Sequence, residues 1–313
     1  MLLSLGLAAL ILAVGLAVLR PWQKPAPPVP PVAPPPVTVP PLALDGLRYL
    51  PATANVVLAV QPAPLVGYAG RTGIDAKQLL LAAGVPERVT GVLDQLGLPL
   101  DGIDQLVVGA SLTNEALPGL TAVLRLRQPL ADEDGFLRRM RAEKRPVAGR
   151  PVWTVSAGLP LMLTRMDGRT YLFALTDAGF AAADAPHPAG GGHLPKGLRE
   201  TIADRLSPAS FVWLATDAEN WADKPALKLG LKKDQLERLA RGRAAAVGVS
   251  LEPDPVLRVA VRAKDAATAD EARGVLRERL GGAGGEGEWA TAETPLDPKG
   301  EAVRKLVAGV IDK

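Results

Sequence analysis

No cysteine occurs among the 313 residues, which excludes disulfides, thiolate metal ligands and cysteine nucleophiles. The compartment stays open, because a larger domain folds outside the cytosol without disulfides. Aromatics make up only 4% of the chain, so its core must be built from Leu, Val and Ala. Few rings are left to stack on bases or sugars. Neither sign of charge dominates. Residues 1–43 hold Arg20, Lys24 and no acid, which leaves 34 cations against 33 carboxylates in the rest. The pI near 9.2 therefore does not indicate nucleic acid, whose binders carry a marked local excess of cations. A P-loop, a G-x-S-x-G elbow and an H-E-x-x-H pair are all missing.

A long apolar run is present. Met1–Leu19 is free of charge and ends abruptly at Arg20, Trp22 and Lys24. As a helix it would be roughly 28 Å long, against about 30 Å of bilayer hydrocarbon. Residues 1–20 are therefore expected to form a transmembrane helix or signal anchor, with the lipid bilayer as partner of residues 1–19. Ala13-Val14-Gly15 is the best cleavage candidate, and an uncleaved helix is favoured over it. Two flanking cations are a weak positive-inside signal, so the bulk of the chain is placed on the extracytoplasmic side of the membrane. Residues 21–43 are proline-rich and favour the extended polyproline conformation. They read as a semi-rigid spacer.

Alternating and helical periodicities follow. Strands are expected at Asn55–Val60, Asp104–Leu112, Thr121–Arg127, Pro151–Ser156, Leu161–Arg165 and Thr170–Thr176, with a hairpin turn at Asp167-Gly168. Helices are expected around Val85–Leu96, after the capping residue Asp132, and through Leu198, Ile202 and Leu206. The pattern then restarts. LPATANVVLAV at residue 50 is echoed by LSPASFVWLAT at residue 206, and VGASL at 108 by VGVSL at 247. Each echo precedes an alternating strand, Thr121–Arg127 or Val256–Arg262, and then a helix. The fold expected is α+β: an N-terminal transmembrane helix followed by two ferredoxin-like (βαββα) repeats with mainly antiparallel sheets. The repeats would span residues 44–185 and 205–295, joined by a loop and helix over 186–204, with a C-terminal helix over 296–313.

The residues that carry chemistry are few. His187 and His193 lie in HPAGGGH, a spacing poor for a metal, and read as an exposed loop. Gly282–Gly287 satisfies G-x-G-x-x-G but follows a helix rather than opening one, so it reads as a flexible connector. The run Asp132-Glu133-Asp134-Gly135 lacks the later ligands of a calcium loop and suits the first turn of a helix. No catalytic residue, metal ligand or cofactor follows. What remains is basic: Arg138, Arg139, Arg141, Lys144 and Arg145 face a single acid, Glu143, and strand positions Arg125, Arg127, Arg258 and Arg262 add cations. These nine are the candidate contacts for an anionic envelope or protein partner.

Leu47-Arg48-Tyr49-Leu50-Pro51 followed by Val56–Val60, behind an apolar segment and a proline linker, resembles uncharacterised bacterial proteins. In those a similar α/β region follows a single membrane helix, sometimes behind a serine/threonine kinase domain. The resemblance implies a tethered module without established activity and carries over no functional residue. This chain has no kinase segment, so either an upstream portion or a short paralogue is expected. The function expected is a membrane-tethered binding, scaffold or sensor module. The alternative is an envelope hydrolase or other enzyme with a carboxylate site.

Overall fold

The computed structural model describes residues 38–82, 96–112, 119–145, 151–156, 160–175, 180, 185–217, 242–251 and 254–296. The strands are β1 (Val56–Val60), β2 (Ile103–Ser111), β3 (Gly119–Leu126), β4 (Ala142–Arg145), β5 (Val152–Ser156), β6 (Pro160–Arg165) and β7 (Thr170–Ala174), then β8 (Ser210–Asp217), β9 (Gly242–Ser250), β10 (Val256–Ala263) and β11 (Trp289–Pro295). The helices are α1 (Pro62–Thr72), α2 (Ala76–Ala82), α3 (Glu133–Arg139), α4 (Lys196–Arg205) and α5 (Ala266–Leu280).

All eleven strands join one sheet in the order β11-β10-β9-β8-β1-β2-β3-β7-β6-β5-β4. Every pairing is antiparallel. This corrects the expectation of two ferredoxin-like repeats. A split β-α-β plan inserts a third strand between the first two, whereas here β1 lies directly beside β2, and β8 beside β9. The reason is burial. Along β1 and β8 nearly every residue is buried, so neither strand can serve as a free edge. They meet instead at the middle of the sheet, with Leu58 opposite Leu214.

The echoed segments occupy matching places about that pair. Gly109 of the first echo opposes Val57, and Gly248 of the second opposes Trp213. A β-carbon on Gly109 would lie 2.8 Å from Leu50 Cδ2, and one on Gly248 would lie 2.9 Å from Leu206 Cδ2. Each glycine is thus the hollow that receives the leucine opening the earlier echoed segment of its own half.

One face of the sheet buries Val57, Val107, Val123, Trp213, Ala246 and Ala260 under Leu44, Leu47, Leu50 and the α4 residues Leu198 and Ile202. The other face has α1, α2 and α5 over β8–β11, and α3 over β3 and β5–β7. Asp132 caps α3 by accepting from the Gly135 amide at 2.7 Å, and Asp265 caps α5 by accepting from the Thr268 amide at 2.8 Å. The end of the expected linker belongs to this body. Gln61 accepts from the Val39 amide at 2.9 Å and donates to the Val39 carbonyl at 2.8 Å, while Pro41 is buried.

The transmembrane and signal-anchor expectation is also corrected. Among the described residues no helix is long and apolar enough to cross a membrane. The stretch on which it rested, residues 1–19, lies outside them. So do all but the first residue of the C-terminal helix expected over 296–313 and all but the last residue of the helix expected around Val85–Leu96.

Candidate functional site

The nine candidate cations do not form one patch. Arg125, on β3, is held between two carboxylates, Asp45 and Asp104, each at 3.1 Å, and is only 17% exposed. It fastens the turn of residues 45–49 to the sheet. On β10, Arg258 grips Glu293 of β11 through Nε at 2.8 Å and a second nitrogen at 3.4 Å. Arg262 reaches Glu288 at 3.0 Å. Such half-exposed pairs contribute about 0–1 kcal/mol each, but they neutralise the charge that a partner would read. Arg127 is half-buried, and its carbonyl accepts from Arg169 at 3.4 Å.

The other five gather at the far end of the sheet. Arg138 and Arg139 sit in the last turn of α3, where cations offset the helix dipole. Arg138 and Arg139 reach Asp132 only at 3.9 and 4.0 Å, and Arg139 also donates to the Leu96 carbonyl at 3.0 Å. Arg141 turns the chain with φ at 50°, and β4 then carries Lys144 and Arg145 along the outermost edge. Arg141, Lys144 and Arg145 are exposed, and no carboxylate among the described residues pairs with them. Lys144 opposes Trp153 and Arg145 opposes Val152, so the two side chains leave opposite faces of the edge. The rim is therefore a wedge of cations around the end of the sheet.

The two histidines are pinned to the body, against the expectation of an exposed loop. Their rings stack at 3.9 Å and 12°. His193 Nε2 donates to the Leu50 carbonyl at 3.1 Å, His187 N donates to the Arg48 carbonyl at 3.0 Å, and Arg48 Nε donates back to the His187 carbonyl at 3.2 Å. Burial, and then the neighbouring His187, lower the His193 pKa. No group of three His, Asp or Glu that could hold a metal is found among the described residues.

The glycine-rich run is likewise fastened rather than flexible. Gly281 ends α5 in the left-handed conformation with φ at 79°. Gly284 and Thr291 then exchange backbone hydrogen bonds of 2.7 and 2.9 Å, which cover the outer edge of β11. Between this loop, the β10–β11 surface and the C-terminal end of α4 opens a cleft of about 470 Å³. Arg205 lines it with its guanidinium 4.3 Å from the centre of the Trp289 ring, and Asp204 stands beside it. Nothing in the sequence singles these two out; they are an ordinary charged pair at a helix end until the tertiary fold brings β11 beneath them.

The remaining displaced proton affinities have structural causes. Tyr171 is held protonated well above the ordinary phenol range by burial and by Glu133, whose carboxylate accepts its hydroxyl at 3.1 Å. Glu133 also takes Arg165 at 2.6 Å. Ser111, in the first echo, shares a 2.8 Å hydrogen bond with Thr53. Comparison with protein-family models, curated proteins and solved structures finds no match for this chain.

Proposed function

We propose that this chain is a binding module with a scaffold or sensor role, and that its cationic rim takes an anionic partner. One observation carries the reading. Three of the strand arginines are each answered by a carboxylate, whereas Arg141, Lys144 and Arg145 stand exposed around one edge of the sheet with no carboxylate partner among the described residues. Cations on an edge strand also keep it from pairing with other chains, so the test must separate those two roles.

The test titrates full-length protein with polyglutamate at increasing salt. Binding through the rim weakens as salt rises and is lost in the triple variant R141E/K144E/R145E. Exchanging the charges of Arg258 and Glu293 leaves it unchanged. A triple variant that binds as tightly as the parent, while staying monomeric, overturns the proposal. An extracytoplasmic location belongs to the same proposal, rests on sequence alone, and is tested by protease accessibility in intact against permeabilised cells. The enzyme alternative has no specific observation in its favour.

A further inference from the structure

We propose that the cleft between the end of α4 and the β10–β11 surface binds a small zwitterion of the amino-acid class. The cleft is independent of the cationic rim. Its volume, about 470 Å³, falls within the range of small-molecule sites. Two charges of opposite sign line it, and neither is spent. Arg205 has no carboxylate partner among the described residues and is held by its stack on Trp289. Its Nε is buried without a hydrogen-bond partner, so the stack fixes the guanidinium at some cost. Asp204 is exposed and likewise without a partner among the described residues. The two cannot satisfy each other, because adjacent residues on a helix point about 100° apart.

The other pair of charges in the wall, Arg258 and Glu293, is already closed on itself. What the cleft offers a ligand is therefore one cation and one anion, set beside each other at the end of a helix. At the C-terminal end of α4, beside its last carbonyls, the helix dipole favours positive charge. A ligand carboxylate suits the planar guanidinium of Arg205, and an ammonium suits Asp204 and those carbonyls. Leu206 and Ala260, on the α4 face of the sheet, give the cleft an apolar floor for a short aliphatic side chain. A simple anion would meet Asp204 as a like charge, and a simple cation would meet Arg205.

The experiment is calorimetric titration of the full-length protein with leucine, acetate and ethylammonium. Leucine is expected to bind roughly tenfold tighter than either single-charge probe, the worth of one charge-assisted hydrogen bond. Asp204→Asn, at an exposed position, should bring leucine and acetate to the same level, with leucine weakened and acetate strengthened as its like charge is removed. Arg205→Gln should abolish acetate binding and lower leucine to the ethylammonium level, with its thermal melt recorded alongside; if that variant does not fold, Asp204→Asn decides. Equal binding of leucine and acetate by the parent, unchanged leucine binding by Asp204→Asn, or no binding of any probe would overturn the proposal.

Discussion

Replacing Gly109 with alanine places a methyl group 2.8 and 2.9 Å from the two terminal carbons of Leu50 and 3.2 Å from its branch point. The whole isobutyl fork must shift, and Leu50 is fully buried, so it has nowhere to go. Overpacking of this kind costs about 1–3 kcal/mol. Removing a glycine from a strand returns about 0.5–1 kcal/mol of backbone entropy, so the net loss is about 0.5–2 kcal/mol. Gly248→Ala should cost about as much, since its new carbon meets Leu206 at 2.9 Å and Ser210 Oγ at 2.8 Å. Urea unfolding reads the change as a lowered midpoint. Gly70→Ala is the control: nothing lies within 4 Å of its β-carbon, and in the exposed interior of α1 the change should stabilise by roughly 0.8–1 kcal/mol. The decisive arm is the double variant Leu50→Ala/Gly109→Ala. In a Leu50→Ala background the added methyl enters a cavity, so the cost of Gly109→Ala should vanish or reverse, a coupling of about 1–2 kcal/mol. Strict additivity, or a Gly109→Ala protein as stable as the parent, would refute the argument that this glycine exists to seat that leucine.

Two further outcomes follow from the proton affinities. The folded state holds the Tyr171 phenol protonated, so its contribution is complete below the ordinary phenol pKa of 10.0 and is lost as pH rises above it. Tyr171→Phe should remove that alkaline loss while costing roughly 1.5–3 kcal/mol at neutral pH through the missing bond to Glu133, both read from urea midpoints against pH. His193 is the opposite case. Its folded pKa lies below the ordinary value of 6.5, so the unfolded chain takes up the proton first and stability falls as pH drops below 6.5. His193→Gln, which keeps a donor for the Leu50 carbonyl, should flatten that acid slope; an unchanged slope would place its origin elsewhere.

Much of the local structure was legible. Thr121–Arg127 and Val256–Arg262 alternate cleanly and appear as β3 and β10, and the cap at Asp132 stands where its spacing placed it. The omissions have local causes. α1 carries Pro62, Pro64, Gly67 and Gly70, a composition that reads as a loop, yet Pro62 sits at the helix start, where its missing donor is harmless. β4, Ala-Glu-Lys-Arg, has no apolar alternation, and an edge strand needs none. The larger error was of sheet order. Each strand was visible as a strand, but nothing local states which strand lies beside which. The choice fell to the burial of β1 and β8, a property of the whole sheet. The cleft was invisible for the same reason: Asp204, Arg205 and Trp289 meet only once α4 lies over β10 and β11.

The two candidate sites lie where the halves of the sheet part company. Near the Leu58–Leu214 pair the halves match closely, down to the glycine–leucine contacts, and the side chains there are apolar and spent on packing. Beyond β3 the chain adds α3 and the strands β4–β7, which carry the edge outward to a rim of exposed cations. Beyond β10 the described residues add α5, the glycine-rich loop and β11, which leaves a gap between that strand and the end of α4. A shared centre must hold its sequence to keep the sheet continuous, whereas each end is free to differ. That division predicts that substitutions at the centre, such as Gly109→Ala, act on stability, whereas Asp204→Asn at one end or R141E/K144E/R145E at the other changes binding and leaves the urea midpoint within about 0.5 kcal/mol of the parent for each exposed position.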